Sequence, residues 1–91
     1  MTIDADQRSV LVYGEKVELT PKEFDILFLL ASHPKKVFSA EHIFGQVWGE
    51  AYYESGNTVM VHISKLRDKL EQETGDKLIV TVWGVGYKID A

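Results

Sequence analysis

Asn57-Thr58-Val59-Met60-Val61-His62-Ile63-Ser64-Lys65-Leu66-Arg67 leads towards Thr81-Val82-Trp83-Gly84-Val85-Gly86-Tyr87 near the end of the chain. The first stretch reads as a helix with two faces. At about 100° per residue, Val59, Ile63, Leu66 and Leu70 form an apolar stripe. Thr58, Val61, His62, Lys65 and Lys69 fall together on the opposite side. The second stretch reads as a strand, a glycine-broken turn and a second strand. Hydroxyl, imidazole and ammonium groups on one helix face suit a DNA major groove. A hairpin directly after such a helix would reach the neighbouring backbone.

Upstream, Thr2-Ile3-Asp4, Ser9–Tyr13 and Lys16–Leu19 read as short strands, with turns at Ala5–Arg8 and Gly14-Glu15. Thr20-Pro21-Lys22-Glu23 starts a helix. Thr20 caps it, Pro21 sits where its missing N–H costs nothing, and Glu23 completes a capping box. Ser32-His33-Pro34 ends it, because a residue before proline disfavours helix. Val37-Phe38 suits a short strand. Ser39 caps a second helix with Ile43, Phe44, Val47 and Trp48 on its apolar face and Gly49 as its stop. Glu50 to Gly56 is a polar and aromatic loop. The third helix is expected from about Thr58 to Glu73, and Gly75-Asp76 turns into the last strand pair. Three strands, three helices and a hairpin around one core make a single α+β domain.

The chain has 91 residues, 45% apolar and 26% charged, as in an ordinary globular protein. The absence of cysteine excludes disulfides and cysteine-ligated metal, and fits a reducing cytoplasm. The longest apolar run, Ile26–Ala31, is too short to span a membrane. Met1-Thr2-Ile3-Asp4 lacks the basic start of a signal peptide, so a cytoplasmic location is expected. The net charge of −4 weighs against nucleic acid as a bulk property. Its distribution reverses that reading locally. Residues 1–54 carry five basic and nine acidic side chains, whereas residues 58–70 carry Lys65, Arg67 and Lys69 against Asp68 alone. Weak non-specific affinity is expected from the acidic total.

Four blocks carry a family resemblance: Leu19–Phe24; Val47-Trp48-Gly49; Thr58-Val59 with Val61-His62-Ile63 and Leu66–Leu70; and Thr81-Val82 with Gly84–Tyr87. In this order and spacing they resemble the DNA-binding domain of OmpR/PhoB-family response regulators over nearly the whole chain. The Trp83–Lys88 ending is similar to the vancomycin-resistance-regulator branch. The resemblance implies a winged helix-turn-helix: N-terminal antiparallel sheet, three helices and C-terminal hairpin wing. It implies an effector domain of a two-component regulator, with a phospho-acceptor receiver domain upstream and outside this chain, and a cognate sensor kinase. It also implies a head-to-tail homodimer on direct repeats in promoter DNA. RNA polymerase would be met by the loop before the third helix, here Glu50, Tyr52, Tyr53 and Glu54. Two cationic positions of the family are lost: Trp83 and Ala40 stand where arginine is common. Met60 stands where aspartate is frequent.

Lys65 suits guanine O6/N7 or a phosphate. His62 suits a phosphate, and Thr58 either a phosphate or a local hydroxyl contact. Asn57 is expected as the helix cap, its amide also able to face a phosphate. Val61 suits a thymine methyl. Arg67, off the arc and nearer Met60, suits an intramolecular ion pair or a phosphate equally. Lys69 and Lys88 are expected at the DNA backbone, and the resemblance adds Thr81 and Tyr87, the latter equally suited to pinning the hairpin. Trp83 either packs under the turn or lies against sugar or a neighbouring protomer. Phe24, Phe28, Phe38, Phe44 and Trp48 are expected in the core. His33, His42 and His62 have no metal-ligand spacing, so no metal or cofactor is expected. Gly84-Val85-Gly86 lacks the third glycine and following helix of a nucleotide loop. No nucleophile with a catalytic partner is visible, so no enzyme is expected. The rival reading is a winged helix used for protein–protein contact.

Overall fold

Val10, Val12 and Val17 alternate with exposed residues and turn one sheet face inward. A computed structural model describes residues 1–49, 57–75 and 77–90. Strands β1 (Thr2–Asp4), β2 (Ser9–Val12) and β3 (Glu15–Val17) form an antiparallel sheet in that order, with Val10 opposite Val17. The β2–β3 turn is Tyr13-Gly14, with φ of 50° and 81°, one residue earlier than Gly14-Glu15. Positive φ at both central residues matches the twist of a tight hairpin. Tyrosine is an uncommon occupant of that backbone region, which hid the register from the sequence.

Helix α1 (Pro21–Ser32) has the expected capping box: Glu23 N–H donates to Thr20 Oγ1 (3.2 Å) and Thr20 N–H to Glu23 Oε1 (3.0 Å). Helix α2 (Ala40–Trp48) starts on Ser39, whose Oγ accepts from His42 N–H, and stops on Gly49 in the left-handed region. Helix α3 (Asn57–Thr74) begins at Asn57, so the residue expected as its cap is its first residue. Strands β4 (Ile79–Val82) and β5 (Gly86–Ile89) form the final antiparallel hairpin.

One core joins all of these. Phe24, Ile26, Leu27 and Leu30 of α1 meet Ile43 and Phe44 of α2 and Val59, Ile63, Leu66 and Leu70 of α3. Ile79 and Ile89 close it from the hairpin. Phe24, Phe38 and Phe44 are buried as expected, but Phe28 is 43% exposed. It lies past the edge of the buried stripe, stacked on Phe24 at 6.1 Å. Trp48 is half-buried, stacked on Phe44 at 5.0 Å with Lys22 Nζ 5.3 Å from its ring.

Phe38 pins the hairpin to the helices. Its N–H donates to Tyr87 O (2.8 Å) and its carbonyl accepts from Tyr87 N–H (2.9 Å). This single bridge is what remains of the expected Val37-Phe38 strand. Gly86 permits it, since a Cβ there would lie 2.0 Å from Phe38 O.

Candidate nucleic-acid interface

The core stripe of α3 is Val59, Ile63, Leu66 and Leu70, and this fixes which side of the helix faces outward. Over its first three turns Asn57, Met60, Val61, Ser64, Lys65 and Asp68 are exposed. The centre of this arc is rotated towards Met60 and Ser64 relative to the arc read from sequence. Thr58, His62 and Lys69 are half-buried, because α1 and α2 pack along that flank.

Two contacts define the flank. The His62 and Trp48 rings meet in a T-shaped arrangement, their centroids 5.1 Å apart. His62 Nδ1 lies 2.7 Å from Thr58 O. A carbonyl only accepts, so Nδ1 is the donor of this bond. Lys69 Nζ donates to Glu23 Oε1 at 2.6 Å, and the Glu23 side chain is only 2% exposed. Lys69 is therefore turned onto α1, where the sequence reading placed it outward at the DNA backbone. Burial opposes ionisation of Glu23 and is the largest single influence on it. Hydrogen bonds from Lys69 and from Thr20, with the lysine's charge, outweigh that and hold the carboxyl below its ordinary value.

On the other flank the hairpin stands beside α3. Arg67 Nη2 donates to Thr81 Oγ1 at 2.9 Å, tying the helix to β4. Arg67 makes no ion pair among the described residues; this bond goes to a hydroxyl. Met60, Ser64, Arg67, Thr81, Trp83 and Tyr87 line a groove of about 260 Å³ between helix and hairpin. Trp83, at the turn before Gly84 (φ 79°), is 89% exposed, so it does not pack under the turn. Tyr87 is half-buried against the core, and its backbone carries the Phe38 bridge. Lys88 is also half-buried, its Nζ 3.9 Å from Asp90 Oδ1.

The structure thus brings Asn57, Val61 and Lys65 onto one exposed surface, with Thr81, Trp83 and Tyr87 across the groove. Lys65 has no ion-pair partner among the described residues. Glu50, Tyr52, Tyr53 and Glu54 lie outside the described residues. The sequence reading missed Glu23 as a buried ion-pair partner, and it left Met60 off the outward face. The capping box signalled a local role for Glu23 and nothing of its reach to α3. No group of three His, Asp or Glu side chains among the described residues could hold a metal ion. No described helix is long and apolar enough to cross a membrane.

Comparison with known proteins agrees with this geometry. The family model described as "Transcriptional regulatory protein, C terminal" matches residues 14–89. The uncharacterized transcriptional regulatory protein YclJ of Bacillus subtilis is 54% identical over 91 residues, covering 98% of this chain and 39% of that protein. Regulatory protein VanRc of Enterococcus gallinarum is 46% identical over 91 residues, covering 99% of this chain and 39% of that protein. The chain spans about two fifths of the length of these relatives. The crystal structure of the response regulator AdeR DNA-binding domain, in complex with an intercistronic region, matches at TM-score 0.88 and 32% identity, covering 98% of this chain and 92% of that one. The chain belongs to the OmpR/PhoB family of response-regulator C-terminal domains, with their winged-helix, DNA-binding fold.

Proposed function

We propose that α3 enters the major groove of promoter DNA with the arc Asn57, Val61 and Lys65, while the hairpin follows the adjacent backbone. The observation that carries this reading is the exposed Lys65, unpaired among the described residues, on a face of α3 that the core, α1 and α2 leave open. Val61 would meet a thymine methyl and Lys65 a guanine edge or a phosphate. His62, held by Thr58 and Trp48, offers Nε2–H to a phosphate when protonated. Arg67 and Lys69 then brace the reading helix from either side. Lys69 is withdrawn from the set of phosphate contacts.

The domain would be the effector of a two-component response regulator, joined to a receiver that a sensor kinase phosphorylates. It would act in the cytoplasm, as a head-to-tail homodimer on direct repeats, with no catalytic step of its own. Residues 50–56 would meet RNA polymerase. With Lys69 engaged, one domain neutralises only about two or three phosphates and gives a log–log salt slope of roughly −2 to −3. Useful occupancy at physiological salt then needs two domains about one helical turn apart. The test is selection from random duplexes by this chain fused to a dimerising segment. Enrichment of a repeated motif is expected; recovery of unselected sequence only would overturn the reading.

A second reading has one observation in its favour. Met60, Val61, Trp83 and Val85 are all substantially exposed on the helix and hairpin, as a protein-binding surface would have them. Under that reading the domain would enrich no duplex.

A further inference from the structure

Met60 and Val61 are adjacent, and 50% and 45% exposed. About 100° apart on the helix, they bracket Asn57 and Ser64, which run down the centre of the exposed arc. Met60 faces the groove shared with Trp83 and Tyr87; Val61 lies on the side of Lys65. Both sit in the first two turns of α3, the part of a recognition helix that meets base edges. Neither side chain can donate or accept a strong hydrogen bond. The one apolar feature on a major-groove base edge is the thymine C5-methyl.

We propose that Met60 is a specificity determinant that reads a second thymine methyl beside the one met by Val61, so that this domain selects two neighbouring thymines by apolar contact. The inference rests on the DNA-binding reading and adds to it the chemical class of base recognised. Methionine suits such a contact, because its unbranched, polarisable side chain adapts to an irregular surface. Lys65 fixes the helix electrostatically without distinguishing thymine from uracil. Asp68, exposed further along the same arc, adds no attraction for phosphate. Any preference for thymine over uracil at these two positions must then come from apolar contact.

The test uses the duplex selected above. Each thymine is replaced in turn by deoxyuridine, which removes only the C5-methyl, and affinity is measured for the chain, Met60→Ala and Val61→Ala. Circular dichroism confirms that each variant is folded. Two neighbouring positions should each lose about fourfold in affinity, the worth of one buried methyl. One loss should vanish in Met60→Ala and the other in Val61→Ala. Restoring the methyl as 5-methylcytosine opposite guanine should recover part of the Met60-dependent affinity relative to plain cytosine. Selected duplexes indifferent to uracil, or both losses persisting in Met60→Ala, would overturn the inference and leave DNA binding intact. If no duplex is enriched and the chain instead self-associates through Met60, both readings fall.

Discussion

The Glu23–Lys69 pair links the first turn of α1 to the third helix. Lys69→Met keeps the stem and removes the charge; Glu23→Gln keeps an acceptor for Thr20 N–H and removes the other charge. Breaking a fully buried pair costs about 3–5 kcal/mol. Glu23 is 2% exposed, but the Lys69 side chain is 37% exposed and partly solvated, so the expected loss for either variant is smaller. It should be about 1–3 kcal/mol, with Glu23→Gln at the lower end because Lys69 can swing to water. For a domain of this size each kcal/mol lowers Tm by about 4–8 °C. The double variant should lose less than the two single losses added. The pH dependence has a definite sign. The folded carboxyl ionises below its ordinary range, so its contribution is full above the unfolded value near 4.3 and fades as pH falls through the folded value. Urea denaturation should therefore show wild type and Glu23→Gln converging on acidification and separating at neutral pH. Lys69→Met with unchanged stability, but a DNA salt slope shallower by about one, would show that the lysine serves phosphate and refute the reasoning.

Gly86→Ala should lose about 1–3 kcal/mol, the worth of the two Phe38–Tyr87 hydrogen bonds that an 86 Cβ would force apart, measured by thermal denaturation. It should also weaken DNA binding by displacing the wing. Trp83→Arg, at an 89% exposed position, should leave Tm nearly unchanged and steepen the log–log salt slope by about 0.9 in an affinity titration. Replacing Tyr53 and Glu54 together by alanine should lower activation in reconstituted transcription while leaving DNA affinity as it was; a matching fall in affinity would remove the proposed division of labour.

Much of this fold is legible in local signals. The capping box at Thr20–Glu23, the Ser39 cap and the Gly49 stop each act within a few residues, and each appears where the sequence places it. The core stripe of α3 follows from helical spacing alone. For Lys69 and Met60, partners distant in sequence decide the outcome. Lys69 has the helical phase of a half-exposed residue; only the packing of α1 supplies the buried acid that captures it. Phe28 has the residue type of a core that its helical position does not reach. Met60 stands out in the sequence as a departure from the family, yet its exposure depends on where the hairpin docks beside α3. The Tyr13-Gly14 turn escapes the sequence because tyrosine carries no signal for positive φ.

The central claim is that the exposed face of α3 reads DNA through Lys65. Fluorescence anisotropy on the selected duplex tests it most directly, comparing the chain with Lys65→Ala and with Lys16→Ala, an exposed lysine of the N-terminal sheet. Lys65→Ala should cost about 1–3 kcal/mol of binding if it touches a base edge, roughly 5- to 150-fold, and relax preference at one base position. Lys16→Ala should bind as the unaltered chain does. Equal affinities for all three proteins would contradict the account.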